Sequence, residues 1–505
     1  MVGGQEGVSV RGSFETEVCS TSSQGGGERS LVDVDVDVDY YEADGSRRSL
    51  LHGRADGSFR RSPSWGVTLN AIVYMFAGMS MPATMATSGF TAGTLMLLYS
   101  FVSTYHSGEL IGALCEKFPE ANSYPKLLGL SVKKGMQKFS SKQAKRYSEL
   151  AVLGCIVLQF LAYYFDTIAQ LLYVSQYFDQ LVPNSNICQW LWLIITFFLV
   201  LPLLLVPGFS ESRWIAVPTF LGIVMMVVIF VMEIVVTEPY KCNPGPHYDM
   251  PSSYSILLSL SAFAYMFGGH GMFPEMIREM KKPKDFSSVL KWTYAFIMAS
   301  YIICGYLGYW AYGSSVNANI NLSWPENAMN IISISIQLIV CYYCVYLTNA
   351  VLLLNIEIGV GLLPSSRKKA IRVKRFVFRV LFLALQTIVG LLLLGGSGDI
   401  ILGLQALSGA IGMSALTYFL PFLMYWFCFP HEMTRKKIAW FSLNIIVGVI
   451  IMIGGVMSSV TDILENSGGI LNGYCHLEYR YSPSNPQDPC FISGYNRTHL
   501  FESLN

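Results

Sequence analysis

The sequence predicts an all-α membrane protein of about eleven transmembrane helices: a 5+5 inverted repeat with helices 1 and 6 broken, plus an extra eleventh helix. Three observations predict this class. Of 505 residues, 52% are hydrophobic and only 13% charged, with a mean hydropathy of +0.44, a composition suited to lipid rather than water. Apolar runs long enough to cross a bilayer recur from about residue 67 to about residue 460. One phrase also occurs twice, as Tyr74-Met75-Phe76-Ala77-Gly78-Met79-Ser80-Met81-Pro82 and as Tyr265-Met266-Phe267-Gly268-Gly269-His270-Gly271-Met272-Phe273-Pro274. Each copy sets glycine and proline inside an apolar run, where backbone groups freed from a helix are tolerated only in protein or beside a cavity.

Taken in order, residues 1–63 read as a disordered cytosolic N-terminal tail. The alternation Val32-Asp33 through Val38-Asp39 has a strand's period, but its dense like charge and lack of partners favour disorder. Arg47-Arg48-Ser49 and Arg60-Arg61-Ser62-Pro63 suit basophilic kinases, or serve only as charge ahead of the first span. The tail is where cytosolic regulators would bind. The transmembrane region, 64–462, holds spans near 67–91, 93–115, 150–175, 189–207, 214–236, 254–277, 289–312, 327–361, 376–394, 398–428 and 438–460. The basic segment 124–148 is a linker with a candidate amphipathic helix, and segments 237–253 and 312–327 are candidate gates or lids. Residues 463–505 form a C-terminal tail.

Charge orients the chain. Every Lys and Arg except Lys241, Arg480 and Arg497 falls in the N-terminal tail or in alternate connecting segments. The positive-inside rule then puts the N-terminus in the cytosol, and an odd number of spans puts the C-terminus on the other side. Cys188, Cys242, Cys475 and Cys490 share that non-cytosolic side, where disulfides persist. Cys188–Cys242 with Cys475–Cys490 is the simplest of the possible pairings. The sequons at Asn321 and Asn496 lie there too, as glycosylation candidates. Cys155, Cys304, Cys341 and Cys344 are expected to pack inside spans, and no metal site is expected.

The chemistry follows from the two breaks. An interrupted helix offers N–H groups at one half-helix end and carbonyls at the other, which attract an anion and a cation respectively. A zwitterion carrying both charges on one carbon, an α-amino acid, fits two opposed breaks without a buried Lys or Arg. The expected substrate contacts are Gly78, Met79, Ser80 and Met81 for the carboxylate, and the carbonyls of Phe267, Gly268 and Gly269 for the amino group, with His270 a further substrate-binding candidate. Tyr163 is a candidate to close over substrate, and Thr348, beside Asn349, to complete a polar or cation site. Ionisable groups within spans are functional by default, so His270 and Asp166 are proton-coupling candidates. Glu357 is expected to pair with the basic loop after it, and Glu109 and Glu233 to reach water near span ends.

No Gly-rich phosphate loop, HExxH or GxSxG occurs. The chain is therefore expected to be no enzyme, to need no cofactor and to bind no nucleic acid. Its expected partners are an amino acid substrate and the lipid bilayer. Transport would run on an ion gradient, protons first and sodium second. A rival reading is an amino-acid sensor signalling through the N-terminal tail.

Around these residues the chain resembles the amino acid/auxin permease family over roughly 65–462. The carriers are Phe263 through Pro274 followed by Met280-Lys281-Lys282-Pro283-Lys284-Asp285-Phe286, with Asn70, Ser88-Gly89, Ser123-Tyr124, Tyr312-Gly313, Leu407-Ser408-Gly409-Ala410 and Pro421. The resemblance implies eleven spans in a LeuT-like arrangement and transport of amino acids, usually coupled to protons or sodium. Gly454-Gly455-Val456-Met457-Ser458-Ser459-Val460 is similar to the vacuolar and vesicular branch, which implies a vacuolar, lysosomal or vesicular membrane, with the plasma membrane as the alternative. Span one departs from the family, carrying bulkier Met79 where a small Gly-x-Gly pattern is usual.

Overall fold

The computed structural model describes residues 62–466, apart from 122, 138–139, 183–186, 206–208, 243–244, 360–361, 363–368 and 395–399. The expectations for the tail before residue 62, and for Cys475, Cys490 and Asn496, lie outside the described residues. What is described is helical almost throughout, as a lipid solvent demands of a chain whose backbone must bond to itself.

The chain begins with α1 (Ser64–Met75), which stops after 12 residues. It resumes as α2 (Met81–Lys117), whose 37 residues hold a kink at Gly89. Gly89 sits at φ 71°, ψ 167°, a region open essentially to glycine alone. This is the turn between the first two expected spans, made without leaving the helix by more than one residue. A short amphipathic helix, α3 (Tyr124–Gly135), follows and packs on α4 (Ser141–Leu181). Next come α5 (Gln189–Val200), α6 (Phe209–Thr237), and a second interrupted pair, α7 (Ser253–Met266) and α8 (Phe273–Glu279). The rest is α9 (Phe286–Tyr312), α10 (Ala328–Gly359), α11 (Lys369–Leu393), α12 (Ile400–Ser408), α13 (Leu420–Cys428) and α14 (Arg435–Asn466). Between α12 and α13 the backbone winds as π-helix, and that pair is bent by 42°.

Among the described residues, eight helices are long and apolar enough to cross a membrane, or nine if the bent pair is one span. The expected eleven is not reached on that measure, for two physical reasons. The first span is cut into pieces too short to qualify alone, and the fourth, Gln189–Leu204, is apolar but shorter than a bilayer requires.

Burial ranks the helices. The 253–279 stretch is 78% buried within its most apolar window, whereas Ala370–Leu393 is 22% buried and faces outward. The centre is therefore built by α7 and α8, wrapped by α2, α3, α12 and α14. Two contacts fix relative direction. Ser62, just ahead of α1, pairs with Met280, just after α8. The Tyr301 hydroxyl, bonded to the carbonyls of Met75 and Met266, puts the end of α1 beside the end of α7 as well, so α1 runs opposite to the α7–α8 stretch.

Near the start of α11, Arg375 and Arg379 both grip Glu357 of α10, at 2.8 and 2.6 Å, its carboxylate fully enclosed. The expected pairing of Glu357 is met. Glu233 is not at a wet span end: it is fully buried and accepts from Asn327 Nδ2 at 2.7 Å.

Candidate functional site

The two interruptions meet at mid-molecule. At the first, Phe76 leaves the helix in extended conformation (φ −76°, ψ 111°), Gly78–Ser80 turn, and α2 restarts with Pro82 in its opening turn. At the second, α7 ends at Met266, His270–Met272 make a 3-10 turn, and α8 starts with Pro274 in the same position. Proline is at home there because the first N–H groups of a helix have no partner within it. Glycine's use here is space, since neither Gly78 nor Gly268 has positive φ. A Cβ on Gly268 would stand 2.9 Å from both the Met413 side chain and the Tyr265 carbonyl oxygen.

One side chain ties the interruptions together. The Tyr301 hydroxyl, on α9, lies 2.6 Å from the Met75 carbonyl and 2.9 Å from the Met266 carbonyl, and accepts from the Ala77 N–H at 3.2 Å. These carbonyls end α1 and α7, so a single phenol serves both broken ends. Among the described residues no hydrogen bond engages the N–H of Gly78, Met79, Gly269 or His270.

Between the breaks lies a cavity with ≈ 700 Å³ of space free of protein atoms, its open mouth included. Met79, Ser80 and Gly268 reach its wall from the breaks, and Asp166 and Gln170 from α4. Asp166 is buried, and its Oδ1 accepts from the Tyr265 hydroxyl at 2.7 Å and, more weakly, from Gln170 Nε2 at 3.4 Å. No ion pair among the described residues involves it. The Tyr74 hydroxyl and Gln405 Oε1, on wall residues, are buried without a partner. Buried polar atoms left open in this way are where a polar ligand gains most.

The expected site residues divide. Met79, Ser80, Gly268 and Asp166 line the cavity; Gly78, Met81, Phe267, Gly269, His270, Tyr163 and Thr348 stand behind its wall. His270 turns away from it, donating through Nε2 to the Thr104 carbonyl of α2 at 2.8 Å. Thr348 is occupied by Thr167 Oγ1 (3.0 Å) and the Cys344 carbonyl (2.9 Å). Tyr163 abuts Gly271, whose carbonyl takes Gln159 Nε2 at 2.8 Å, so it braces the second break from below. Cys341 and Cys344, expected as packing, also face the cavity.

Sequence reasoning missed Tyr74, Gln170, Tyr265, Gln405 and Tyr301. Two had a signal: Gln170 lies one helical turn beyond Asp166, and Gln405 is a lone amide in an apolar run. Toward one end, the cavity-lining Gln337 accepts from the Tyr177 hydroxyl and donates to Asn321 Oδ1, while Asn321 Nδ2 donates to Asn330 Oδ1 at 2.9 Å. The Asn321 amide is thus buried in a network, which leaves no room for a glycan on its nitrogen.

These features define a class: a polytopic helical membrane protein holding a central polar cavity between two opposed, unwound helices. The sequence profile described as "Transmembrane amino acid transporter protein" matches residues 61–461. The chain belongs to that family. It is similar to the Arabidopsis thaliana amino acid transporter AVT1E, at 21% identity over 400 residues, spanning 76% of this chain and 70% of that one. Similarity to the Arabidopsis thaliana lysine histidine transporter-like 6 is 24% over 241 residues, 46% of this chain and 52% of that one. Among solved structures it is similar to the inward-facing conformation of Mhp1 (TM-score 0.41, 12% identity, covering 85% of this chain and 98% of that one). It is also similar to a substrate-bound, outward-open Na+-coupled sialic acid symporter (TM-score 0.39, 16% identity, 81% and 92%).

Proposed function

We propose that this protein is a secondary active transporter that moves an amino acid across its membrane by alternating access, driven by protons. The observation that carries the reading is the cavity itself, bounded on one side by Met79, whose N–H is uncommitted, with that of Gly78 just behind it, and on the other by the carbonyl-bearing end of α7. An α-carboxylate binds the first and an α-ammonium the second. Asp166 is the proton carrier: a buried carboxylate without a cation is neutralised by a proton, or by the ammonium of the substrate beside it. Gln170 and Tyr265 hold it at the cavity wall while the proton comes and goes.

In this reading, spans 1–5 and 6–10 form the inverted repeat, with the interrupted first span and the short Gln189–Leu204 helix completing eleven. The opposite directions of the two broken helices support it. A Cys188–Cys242 bridge ties two outer loops; neither sulfur is among the free thiols of the described residues. The similarity of the Gly454–Val460 stretch supports a vacuolar or vesicular membrane.

The test is uptake and counterflow of each of the twenty amino acids in proteoliposomes, with and without a pH gradient and with and without sodium. The expected result is saturable counterflow of some amino acids and gradient-driven accumulation needing protons but not sodium. Asp166→Asn should retain exchange while losing accumulation. Binding without flux would favour the sensor, sodium dependence would move the coupling elsewhere, and gradient-driven accumulation by the Asn variant would remove Asp166 from the role.

A further inference from the structure

We propose that Ser62 is a phosphorylation site whose modification unlatches the two broken helices from each other at their shared end. The latch is small and specific. Ser62 N–H donates to the Glu279 carbonyl at 2.9 Å, and the Lys281 N–H donates to the Ser62 carbonyl at 2.9 Å. This isolated parallel pairing joins the entry of α1 to the exit of α8. One turn on, Ser64 Oγ donates to Asp285 Oδ2 at 3.0 Å, a second tie between the same segments. Because α1 and α8 are the halves of the two interrupted helices that meet at this end, an opening of the central cavity toward it parts them here.

The Ser62 side chain explains why a charge would matter. It is 2% exposed, and its Oγ has no hydrogen-bond partner. It lines a second, smaller cavity together with Asn70, Glu275 and Glu279. Glu275 is itself buried, with Oε2 unpartnered. A hydroxyl is tolerated between these carboxylates. A phosphate, bringing a charge near −2, is repelled by them and loses its hydration if it enters. Of the basic groups nearby, Arg278 of α8 acts on both glutamates and Lys281 and Lys282 follow in the exit segment, but the buried Oγ opens onto the cavity that the two glutamates line.

The sequence supplies the recognition. Arg60-Arg61-Ser62-Pro63 puts two arginines directly before the acceptor and a proline directly after it, features that basophilic and proline-directed serine kinases respectively read. In the transfer, the terminal phosphoryl group of ATP moves to Ser62 Oγ. The bond to the ADP oxygen breaks, the Oγ–P bond forms, and the hydroxyl proton leaves to the kinase base. Two main-chain bonds and the Ser64 tie hold the segment, so brief local opening exposes the hydroxyl. Once modified, it cannot reseat. Phosphorylation therefore favours the conformation in which α1 and α8 are apart.

The experiment uses the full chain in proteoliposomes, with Val67→Cys as a reporter, since Val67 lines the small cavity and is buried. The chain is treated with Mg-ATP and, in parallel reactions, a basophilic and a proline-directed serine kinase. Phosphate is located by peptide mass spectrometry, and the reporter is timed with a membrane-impermeant maleimide. The expected result is phosphate on Ser62 and labelling faster by roughly tenfold, the scale set by losing two hydrogen bonds. Adding Ser62→Ala should leave basal labelling unchanged, because the latch is main chain, and abolish the kinase effect. Treated protein needs no acidic substitution to fold, and Ser62→Glu provides a second route to the same acceleration. Phosphate on Ser62 with unchanged or slower labelling, or no phosphate on Ser62 in treated protein, would overturn the proposal. Labelling does not depend on the cargo, so its outcome stands apart from the uptake measurements.

Discussion

The Tyr301 hydroxyl illustrates how few atoms hold the site in place. Without it, the carbonyls of Met75 and Met266 would end two helices with no donor at their tips. Leaving a buried polar group unpaired costs about 1–3 kcal/mol. Tyr301→Phe removes only the oxygen, so the variant should insert normally, melt at a lower temperature in detergent and take up substrate more slowly. Unchanged melting and uptake together would show that the breaks are held by something else. Gly268→Val tests space instead: its Cβ would press on the Tyr265 carbonyl, so transport should be abolished while membrane insertion survives. Transport at the wild-type rate would mean this wall does not face the substrate. Both breaks could be read from the sequence, because paired Gly and Pro inside an apolar run seldom sit in continuous helix. The cavity wall could not. A tyrosine such as Tyr74 or Tyr301 looks the same in sequence whether it packs or caps, and only the fold brings α9 to the ends of α1 and α7. His270 shows the same limit: the sequence puts a titratable residue beside a break, but only the fold shows that it lies off the cavity wall, with Nε2 on the Thr104 carbonyl and Nδ1 buried without a partner.

At the scale of the helix, the deciding residues are the ones that stop or turn it. Gly89 lets α2 change direction between two expected spans, and any side chain there must adopt a backbone conformation that L-residues avoid. Gly89→Ala should therefore cost about 1–3 kcal/mol, read as a lower melting temperature of the solubilised protein; an unchanged melting point would mean the kink relaxes freely. Glu357 works the other way, joining α10 to α11 through two arginines. Glu357→Gln leaves both cations without a counter-charge, and breaking a buried pair of this kind costs about 3–5 kcal/mol. The double change with Arg375→Gln should recover part of that loss. The long helices were legible because an unbroken apolar run has one stable form in lipid. The fourth span was harder, since Gln189–Leu204 is apolar throughout but ends in a 3-10 turn at Leu201–Leu205 that hydropathy cannot distinguish from continuing helix.

Across the whole molecule, direction and charge have to agree. The Ser62–Met280 pairing at one end and the shared Tyr301 hydroxyl at the other make the two interrupted helices antiparallel. A membrane turns that geometry into sidedness, since an entry that begins in the cytosol must meet an exit that returns to it. The basic residues make the same demand independently: all but Lys241, Arg480 and Arg497 lie in segments that share a side with Ser62 when α1 crosses outward. Moving that many cations across a bilayer opposes the positive-inside bias, so inversion of the chain is heavily disfavoured. In the proposed reading of eleven crossings, the two termini lie on opposite faces. A short epitope before residue 62 should be reached by antibody only after selective permeabilisation of the membrane from the cytosolic side. One after residue 466 should be protected from cytosolic protease in sealed vesicles. If both tags are cleaved from the same side, the number of crossings is even. Either the interrupted first helix or the short Gln189–Leu204 helix then fails to cross, and the pairing of spans 1–5 with 6–10 falls with it.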